Sequence, residues 1–292
     1  MTLALDAPIV TEQRTKAPVA RLMRSELRFM IRRPRTMVAF GVLAVAPVIA
    51  AVAMSVATTA VNNGSINGDR QLANIASIVD GNGMILPVFV LMLSMVMLLP
   101  MMGSMWSADA LAGETQTGAL RGLLVAPVSR VRLLAVKAFG VATVTMLAVV
   151  TLTVVGIVAG LAILGGDGLL TMSGTTLPFG ESLGRVALLA ALVTVQVWAV
   201  AAIALAISAA TEHPLVVMAS ALGGIIVFTI LNNIPALDWL HPFLLTDGWD
   251  ALADVIRDPM PTDGITEGLL RAVCYIVIGY SLALARMSTK DG

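Results

Sequence analysis

The residues that could perform chemistry are few, and their spacing predicts that this chain does not hydrolyse ATP. A phosphate-binding loop needs the pattern Gly-x-x-x-x-Gly-Lys-Ser/Thr, in which backbone amides and the lysine hold the nucleotide phosphates. None of the three lysines, Lys16, Lys137 and Lys290, follows a glycine. His213 and His241 flank a predicted membrane-spanning helix at residues 214–232. They therefore fall on opposite sides of the membrane and cannot share a metal ion. We therefore predict no catalytic residue and no metal site.

Methionine is concentrated between residues 84 and 105, where seven occur, and Met97, Met101 and Met105 recur at a spacing of four. Thioethers can bind Cu(I), present an adaptable apolar surface to ligands, or fill gaps in a core. Core packing is the simplest interpretation. A hydrophobic substrate surface at these three methionines is the functional alternative, and a copper site is the least favoured one.

Composition indicates that membrane-spanning helices position these residues. The 292 residues are 58% hydrophobic and 12% charged, with a mean hydropathy of +0.92, whereas a soluble domain carries about 25% charged residues. The apolar runs are long and unbroken, as helices that cross a bilayer in ~20 residues require, and unlike the ~10-residue alternating strands of a barrel. We predict an all-α polytopic membrane protein with six spans, at Thr36–Val61, Met84–Trp106, Ala138–Leu164, Val186–Ala210, Pro214–Asn232 and Leu269–Met287.

Lysine and arginine placement predicts the orientation of these spans. Fourteen of these cations fall on the side that holds both termini and four on the other side. By the positive-inside rule, both termini are cytoplasmic in a multi-pass protein of the cell membrane. The predicted organisation is a cytoplasmic tail with an amphipathic helix (1–35), a six-span domain (36–287) with a long cytoplasmic loop (107–137) and an outer loop (233–268), and a cytoplasmic C-terminal tail (288–292). The spans hold no Asp, Glu or His away from their ends, which disfavours an ion-coupled carrier.

Proline and glycine mark irregular points within the spans. Pro47, Pro87 and Pro100 lie inside predicted helices, where each removes a backbone hydrogen bond and favours a kink. Gly223 and Gly224 lie midway along the fifth span. Tolerated packing irregularities and hinges for alternating access are both compatible with this pattern.

The segment before the first span is predicted to form an amphipathic helix at residues 18–35. Its apolar side chains recur at helical spacing, and four arginines face the other way. Such a helix would lie in the inner membrane interface; binding to a soluble partner is the alternative. The apolar residues are Val19, Leu22, Met23, Leu27 and Met30, and the arginines are Arg21, Arg24, Arg28 and Arg32.

The loop after the second span is too long for a plain connector. Its centre pairs polar Glu114, Thr115 and Gln116 with a leucine-rich turn and then stops at Pro127. A short helix of this kind on the cytoplasmic side suits docking into a groove on a soluble partner.

The outer segment at residues 246–258 is predicted to form a short amphipathic helix that starts at Thr246 or Asp247. It would present Trp249 and Leu252 on one side. Because the outer loop carries six aspartates, we interpret it as a solvated lid, with attraction of cations as the alternative.

Three segments together resemble the ABC-2 type transporter permeases. The run from Gly113 to Arg130 resembles the loop of that family, with its acidic residue, glycine, leucine-rich turn and Pro-x-Ser-Arg ending. The stretch from Glu26 to Arg35 resembles the entry helix, and the stretch from His241 to Leu252 resembles an outer motif in which histidine here replaces asparagine. The resemblance covers the whole chain in order.

The resemblance implies a six-span permease that works as a homo- or heterodimer with cytoplasmic ABC ATPase subunits, which would bind the ATP and Mg²⁺ that this chain does not bind. It implies export, and the apolar, methionine-rich second span suggests a drug, lipid or other amphiphile as the substrate. Alternatives are a sodium, haem or metal-related export subunit and a non-transporting anchor or sensor. Membrane lipid is an expected partner and nucleic acid is not. The implied ATPase-coupling residues are Glu114, Thr115, Gly118, Leu120, Leu123, Leu124 and Pro127. For Glu114 a solvated carboxylate at a helix start is the alternative.

Overall fold

The computed structural model describes residues 18–63, 81–116, 129–166 and 168–289. These form a bundle of long helices with a two-stranded antiparallel hairpin at one end. The strands are β1 (Leu169–Leu170) and β2 (Thr176–Leu177). The helices are α1 (Val19–Ile31), α2 (Pro34–Asn62), α3 (Ile85–Val96), α4 (Leu98–Ala110), α5 (Ala112–Gln116), α6 (Arg130–Ala159), α7 (Phe179–Ala210), α8 (Pro214–Asn232), α9 (Asp247–Asp250) and α10 (Asp263–Thr289).

The predicted all-α polytopic fold with six spans is confirmed. Five helices, α2, α6, α7, α8 and α10, are long and apolar enough to cross a membrane, and the count is six if the bent segment that begins with α3 and α4 is one span. The fifth span occupies Pro214–Asn232 as predicted. The third, fourth and sixth helices begin earlier than predicted, at Arg130, Phe179 and Asp263, because an apolar run marks only the part of a helix that suits lipid.

Proline explains the bend in the second span. Pro100 has no N–H to donate to the carbonyl of Val96, and α3 ends at Val96. Met97 leaves the helical region at φ −147° and ψ −43°, and α4 then starts with Pro100 in its first turn. The two halves are bent by 55°. The kink predicted at Pro87 is wrong, because α3 begins at Ile85 and places Pro87 in a first turn, where proline is tolerated.

The centre of the bundle is α7, which packs against α4, α6 and α10. Small residues allow the closest approach: a Cβ at Gly279 of α10 would lie 2.6 Å from the carbonyl carbon of Ala202 in α7. By contrast, α2 and α8 lie at the rim, and few of their residues are buried. Their exposed side chains are predominantly large and apolar, as a lipid-facing surface requires.

The two ends of the bundle are called the α1 end and the hairpin end. The α1 end holds α1, α5, the starts of α2, α6 and α8, and the ends of α4, α7 and α10. The hairpin end holds β1, β2, α9 and three 3₁₀ turns, Pro235–Leu237, His241–Phe243 and Ala251–Ile256. The predicted outer helix at residues 246–258 is therefore one turn of α-helix followed by a 3₁₀ turn, with Leu252, Val255 and Ile256 buried.

Candidate functional site

A sharp elbow between α1 and α2 places two arginines at the α1 end. Pro34 occupies the first turn of α2 and forces the preceding Arg33 into an extended conformation, with φ −64° and ψ 132°. The helix therefore breaks after Ile31 and restarts in a new direction. Arg33 and Arg35 are brought beside Asp109, the penultimate residue of α4.

Hydrogen bonds to α7 fix the short helix α5. Ser208 of α7 donates to the carbonyl of Ala108 over 3.3 Å and accepts the backbone N–H of Ala112 over 2.9 Å. Ser107 donates to the carbonyl of Ala201 over 2.9 Å. The end of the second span and the start of α5 are thus tied to the centre of the bundle.

A buried ion-pair network joins five helices at this end. Lys137 of α6, only 2% exposed, donates to both carboxylate oxygens of Glu26 in α1, over 2.9 and 3.0 Å, and to Glu114 in α5 over 2.5 Å. Arg33 of α2 lies 3.4 Å from Glu114 and 3.7 Å from Asp109 of α4. We call these five residues with Arg35 the α1-end network.

The charges of the α1-end network balance, because three carboxylates face three cations. A buried pair is costly to break: removal of one partner leaves an uncompensated charge and destabilises a protein by about 3–5 kcal/mol. Removal of Arg35 should not carry this cost. Its side chain is 72% exposed and lies 3.5 Å from Asp109, so it contributes at most about 1 kcal/mol.

The predicted coupling residue Glu114 is 5% exposed and is therefore not a solvated carboxylate. Thr115 is half-buried, and its hydroxyl donates to the carbonyl of Leu111 over 3.0 Å. The other predicted coupling residues lie outside the described residues: Gly118, Leu120, Leu123, Leu124 and Pro127. Their contact with an ATPase stays a prediction.

The amphipathic helix α1 packs on α6 by part of its apolar face. Met30 is buried, and Gly140 of α6 leaves room for it, since a Cβ there would lie 2.7 Å from the Met30 sulfur. Arg21, Arg24 and Arg28 are exposed, as is Arg32. The four arginines therefore form an exposed basic face, while Met30 faces protein.

The Ser-Arg pair that ends the loop motif has two positioning roles. Ser129 accepts the backbone N–H of Arg132 over 3.4 Å and so caps α6. The Arg130 guanidinium donates to the carbonyls of Met287 and Ser288 over 2.8 and 2.9 Å. These carbonyls end α10, where a helix dipole favours a cation. The motif could be recognised in the sequence, but nothing in the sequence indicated that Arg130 pairs with Met287, 157 residues away.

The three methionines predicted to face substrate differ in burial, and their contact with substrate stays a prediction. Met97, at the bend between α3 and α4, is 56% exposed, while Met101 and Met105 are half-buried against the core. Other methionines, Met92 and Met95, line a cleft of about 630 Å³ at the hairpin end.

This hairpin-end cleft lies between α3, the end of α8 and the outer segment. It is lined by Phe89, Met92, Leu93, Met95, Val96, Thr229, Asn232, Asn233, Thr246, Trp249, Asp250, Leu252 and Ala253. Partial burial, and then the negative charge of Asp247, raise the pKa of Asp250. Among the described residues, no group of three or more His, Cys, Asp or Glu side chains is placed to hold a metal ion.

Comparison with known families gives one match. A model described as ABC-2 family transporter protein matches residues 20–247, from the first turn of α1 to the start of α9. The match includes all six residues of the α1-end network. A search of curated proteins found none that matches the chain.

Proposed function

We propose that this chain, which belongs to the ABC-2 family of transporter proteins, is the permease subunit of an ATP-driven exporter and that its α1-end network transmits the motion of the ATPase to the spans. Proteins of this family are membrane components of ABC transporters and work with an ABC ATPase. The single observation that carries the proposal is the placement of Lys137 between Glu114 and Glu26.

The α1 end would face the cytoplasm, where the ATPase is. Fourteen of eighteen lysines and arginines fall on that side by the predicted topology, which supports this orientation. The exposed arginines of α1 would then lie at anionic headgroups of the inner leaflet. Residues 117–128, which connect α5 and α6 in the sequence, would contact the ATPase.

The network gives a displacement of α5 a direct route into two spans. A push on α5 moves Glu114, and the buried charges cannot separate cheaply, so Lys137 of α6 and Arg33 of α2 follow. Glu26 carries the same displacement into α1. Helices α1, α2, α5 and α6 would therefore move as one unit between inward- and outward-facing states, whose populations ATP and substrate shift.

The apolar, methionine-rich second span supports a drug, lipid or other amphiphile as the proposed substrate, and a second permease copy would complete the pathway. No residue of this chain is assigned to catalysis, because the ATP-hydrolysing site is proposed to lie in the ATPase subunit.

The test is ATP turnover by the assembled complex in reconstituted membranes. Lys137→Met should change the ATP turnover that the permease imposes on its ATPase, because Glu114 loses its link to α6. Adding Glu114→Gln and Glu26→Gln should restore folding but not coupling, because α5 then has no ion pair with α2 or α6. Arg35→Met is the control, since that side chain is mostly exposed. If the Lys137→Met complex assembles and hydrolyses ATP like the parent, the network is not the transmission element.

A labelling experiment tests the orientation separately. In a chain that lacks Cys274, which is exposed and is the only cysteine, Thr262→Cys should react with an impermeant thiol reagent added outside. Ser25→Cys on α1 should not react. Labelling of Ser25→Cys from outside would reverse the proposed topology.

A further inference from the structure

The wall of the hairpin-end cleft combines apolar and aromatic groups with a single carboxylate. Phe89, Met92, Leu93 and Met95 of α3 form one side. Asp250 is the only charged residue in the lining, and no lysine, arginine or histidine of the described chain lines the cleft. Its volume, about 630 Å³, falls in the range of about 300–1,000 Å³ typical of small-molecule sites.

The neighbouring acidic residues are already paired, whereas Asp250 is not. Asp247 accepts a hydrogen bond from Arg271 over 2.7 Å, and Asp254 lies 3.1 Å from Arg257. Within the described residues no cation lies within salt-bridge distance of Asp250. The edge of the cleft therefore has an uncompensated negative charge.

Polar atoms that border the cleft also lack partners. The Thr246 hydroxyl, the Asn232 side-chain carbonyl and the Trp249 indole N–H are buried with no hydrogen-bond partner in the described chain. Thr246 is 5% exposed. These three atoms have almost no accessible surface and therefore lie behind the wall of the cleft, whereas Asp250 is exposed and can be reached by a molecule in it.

We propose that the hairpin-end cleft binds an amphipathic cation. Its apolar body packs on Met92, Met95 and Phe89, where flexible thioethers adapt to varied shapes. Its positive charge lies beside Asp250 and within reach of the Trp249 ring, whose face attracts cations. The proposal rests on the proposed function only in naming this class of molecule as the transported substrate; binding itself requires no ATPase.

The experiment compares two ions of matched shape and opposite charge on the full chain in phosphatidylcholine nanodiscs. Tetraphenylphosphonium should bind saturably above the level of empty nanodiscs, and tetraphenylborate should bind at least about tenfold more weakly, a difference of about 1.4 kcal/mol. Comparable affinities for the two ions, or no saturable binding of the cation, would overturn the proposal.

Two matched pairs of variants locate the site. Asp250→Asn should weaken tetraphenylphosphonium binding about tenfold, whereas Asp238→Asn removes the same charge from a side chain that is 79% exposed and should leave it unchanged. Ala253→Phe narrows the cleft and should abolish binding, whereas Ala236→Phe on the exposed outer surface should not. Equal effects within either pair would place the cation elsewhere and overturn the proposal.

The outcome is separable from the proposed function. If the cation does not bind but Lys137→Met still changes ATP turnover in the assembled complex, this inference falls and the permease proposal stands. If the cation binds as described but no ATPase assembles with the chain, the cleft stands and the permease proposal falls.

Discussion

At the α1 end, three carboxylates face the buried Lys137, the part-buried Arg33 and the exposed Arg35, whereas at the hairpin end Asp250 and three buried polar atoms have no partner among the described residues. At both ends, polar side chains adjoin the apolar helices of the bundle. A network whose charges are mutually satisfied holds helices in a fixed relation. An apolar cleft with one exposed, unpaired carboxylate at its edge is instead suited to a molecule from outside. The difference separates a proposed transmission element from a proposed binding site.

The contrast between the two ends is tested most directly by replacing Lys137. Replacing it with methionine leaves Glu26 and Glu114 buried with less counter-charge, so the free energy of unfolding should fall by about 3–5 kcal/mol. The melting temperature of the purified chain measures this. Arg35→Met should lower it by at most about 1 kcal/mol. Equal melting temperatures for Lys137→Met and the parent would show that the α1 end is not held by its charges.

The second prediction concerns the loop beyond α5, which lies outside the described residues. Leu123→Asp would place a charge in an apolar groove of the ATPase and should weaken association by more than about 2 kcal/mol. Co-purification of the ATPase with the permease is the measurement. Leu123→Met, a swap of similar volume, is the control and should assemble normally. Normal assembly by Leu123→Asp would mean that this loop is not the docking element.

The sequence predicted the spans because the signal for a span is local. An apolar run of sufficient length indicates a helix without knowledge of its neighbours, and the fifth span was predicted to the residue. The partners of Glu114 were not predictable in this way. Glu26 lies 88 positions before it, and Lys137 was recognised in the sequence only as a lysine that follows no glycine. Long-range charge pairing leaves no periodic pattern in a single sequence.

The methionines show a second limit. A spacing of four at Met97, Met101 and Met105 indicates one face only if the helix is continuous. The break before Pro100 puts Met97 outside the helical region and exposes it. Proline predicted a kink, but the direction of a 55° bend depends on the packing of both halves. The lining of the hairpin-end cleft therefore could not be assigned from spacing alone.

A smaller effect on stability is expected at Arg130, which links the start of α6 to the end of α10. Arg130→Ala removes two hydrogen bonds to the carbonyls of Met287 and Ser288 and should cost about 1–2 kcal/mol. Hydrogen exchange should accelerate in the last turn of α10. Arg130→Lys retains a cation at the helix end and should preserve most of the protection. If Arg130→Ala leaves exchange in α10 unchanged, the Pro-Val-Ser-Arg motif positions nothing at this end.

The smallest expected effect is a rise, not a fall, in the free energy of unfolding, and it comes from a residue at the hairpin end. Thr246 buries a hydroxyl that has no partner in the described chain, so Thr246→Val removes an unsatisfied polar atom while nearly preserving shape. The unfolding free energy of the ligand-free protein should rise by about 1 kcal/mol. Thr145→Val in α6 is the matched control. Its hydroxyl is also buried but donates to the carbonyl of Val141 over 2.9 Å, so its loss should destabilise by about 0.5–1.5 kcal/mol. Melting temperatures of the two variants, measured side by side without added cation, decide the matter. If Thr246→Val is destabilised as much as Thr145→Val, the Thr246 hydroxyl is satisfied in the ligand-free protein, and the proposed contrast between the ion-paired α1-end network and the unpaired groups at the hairpin-end cleft does not hold.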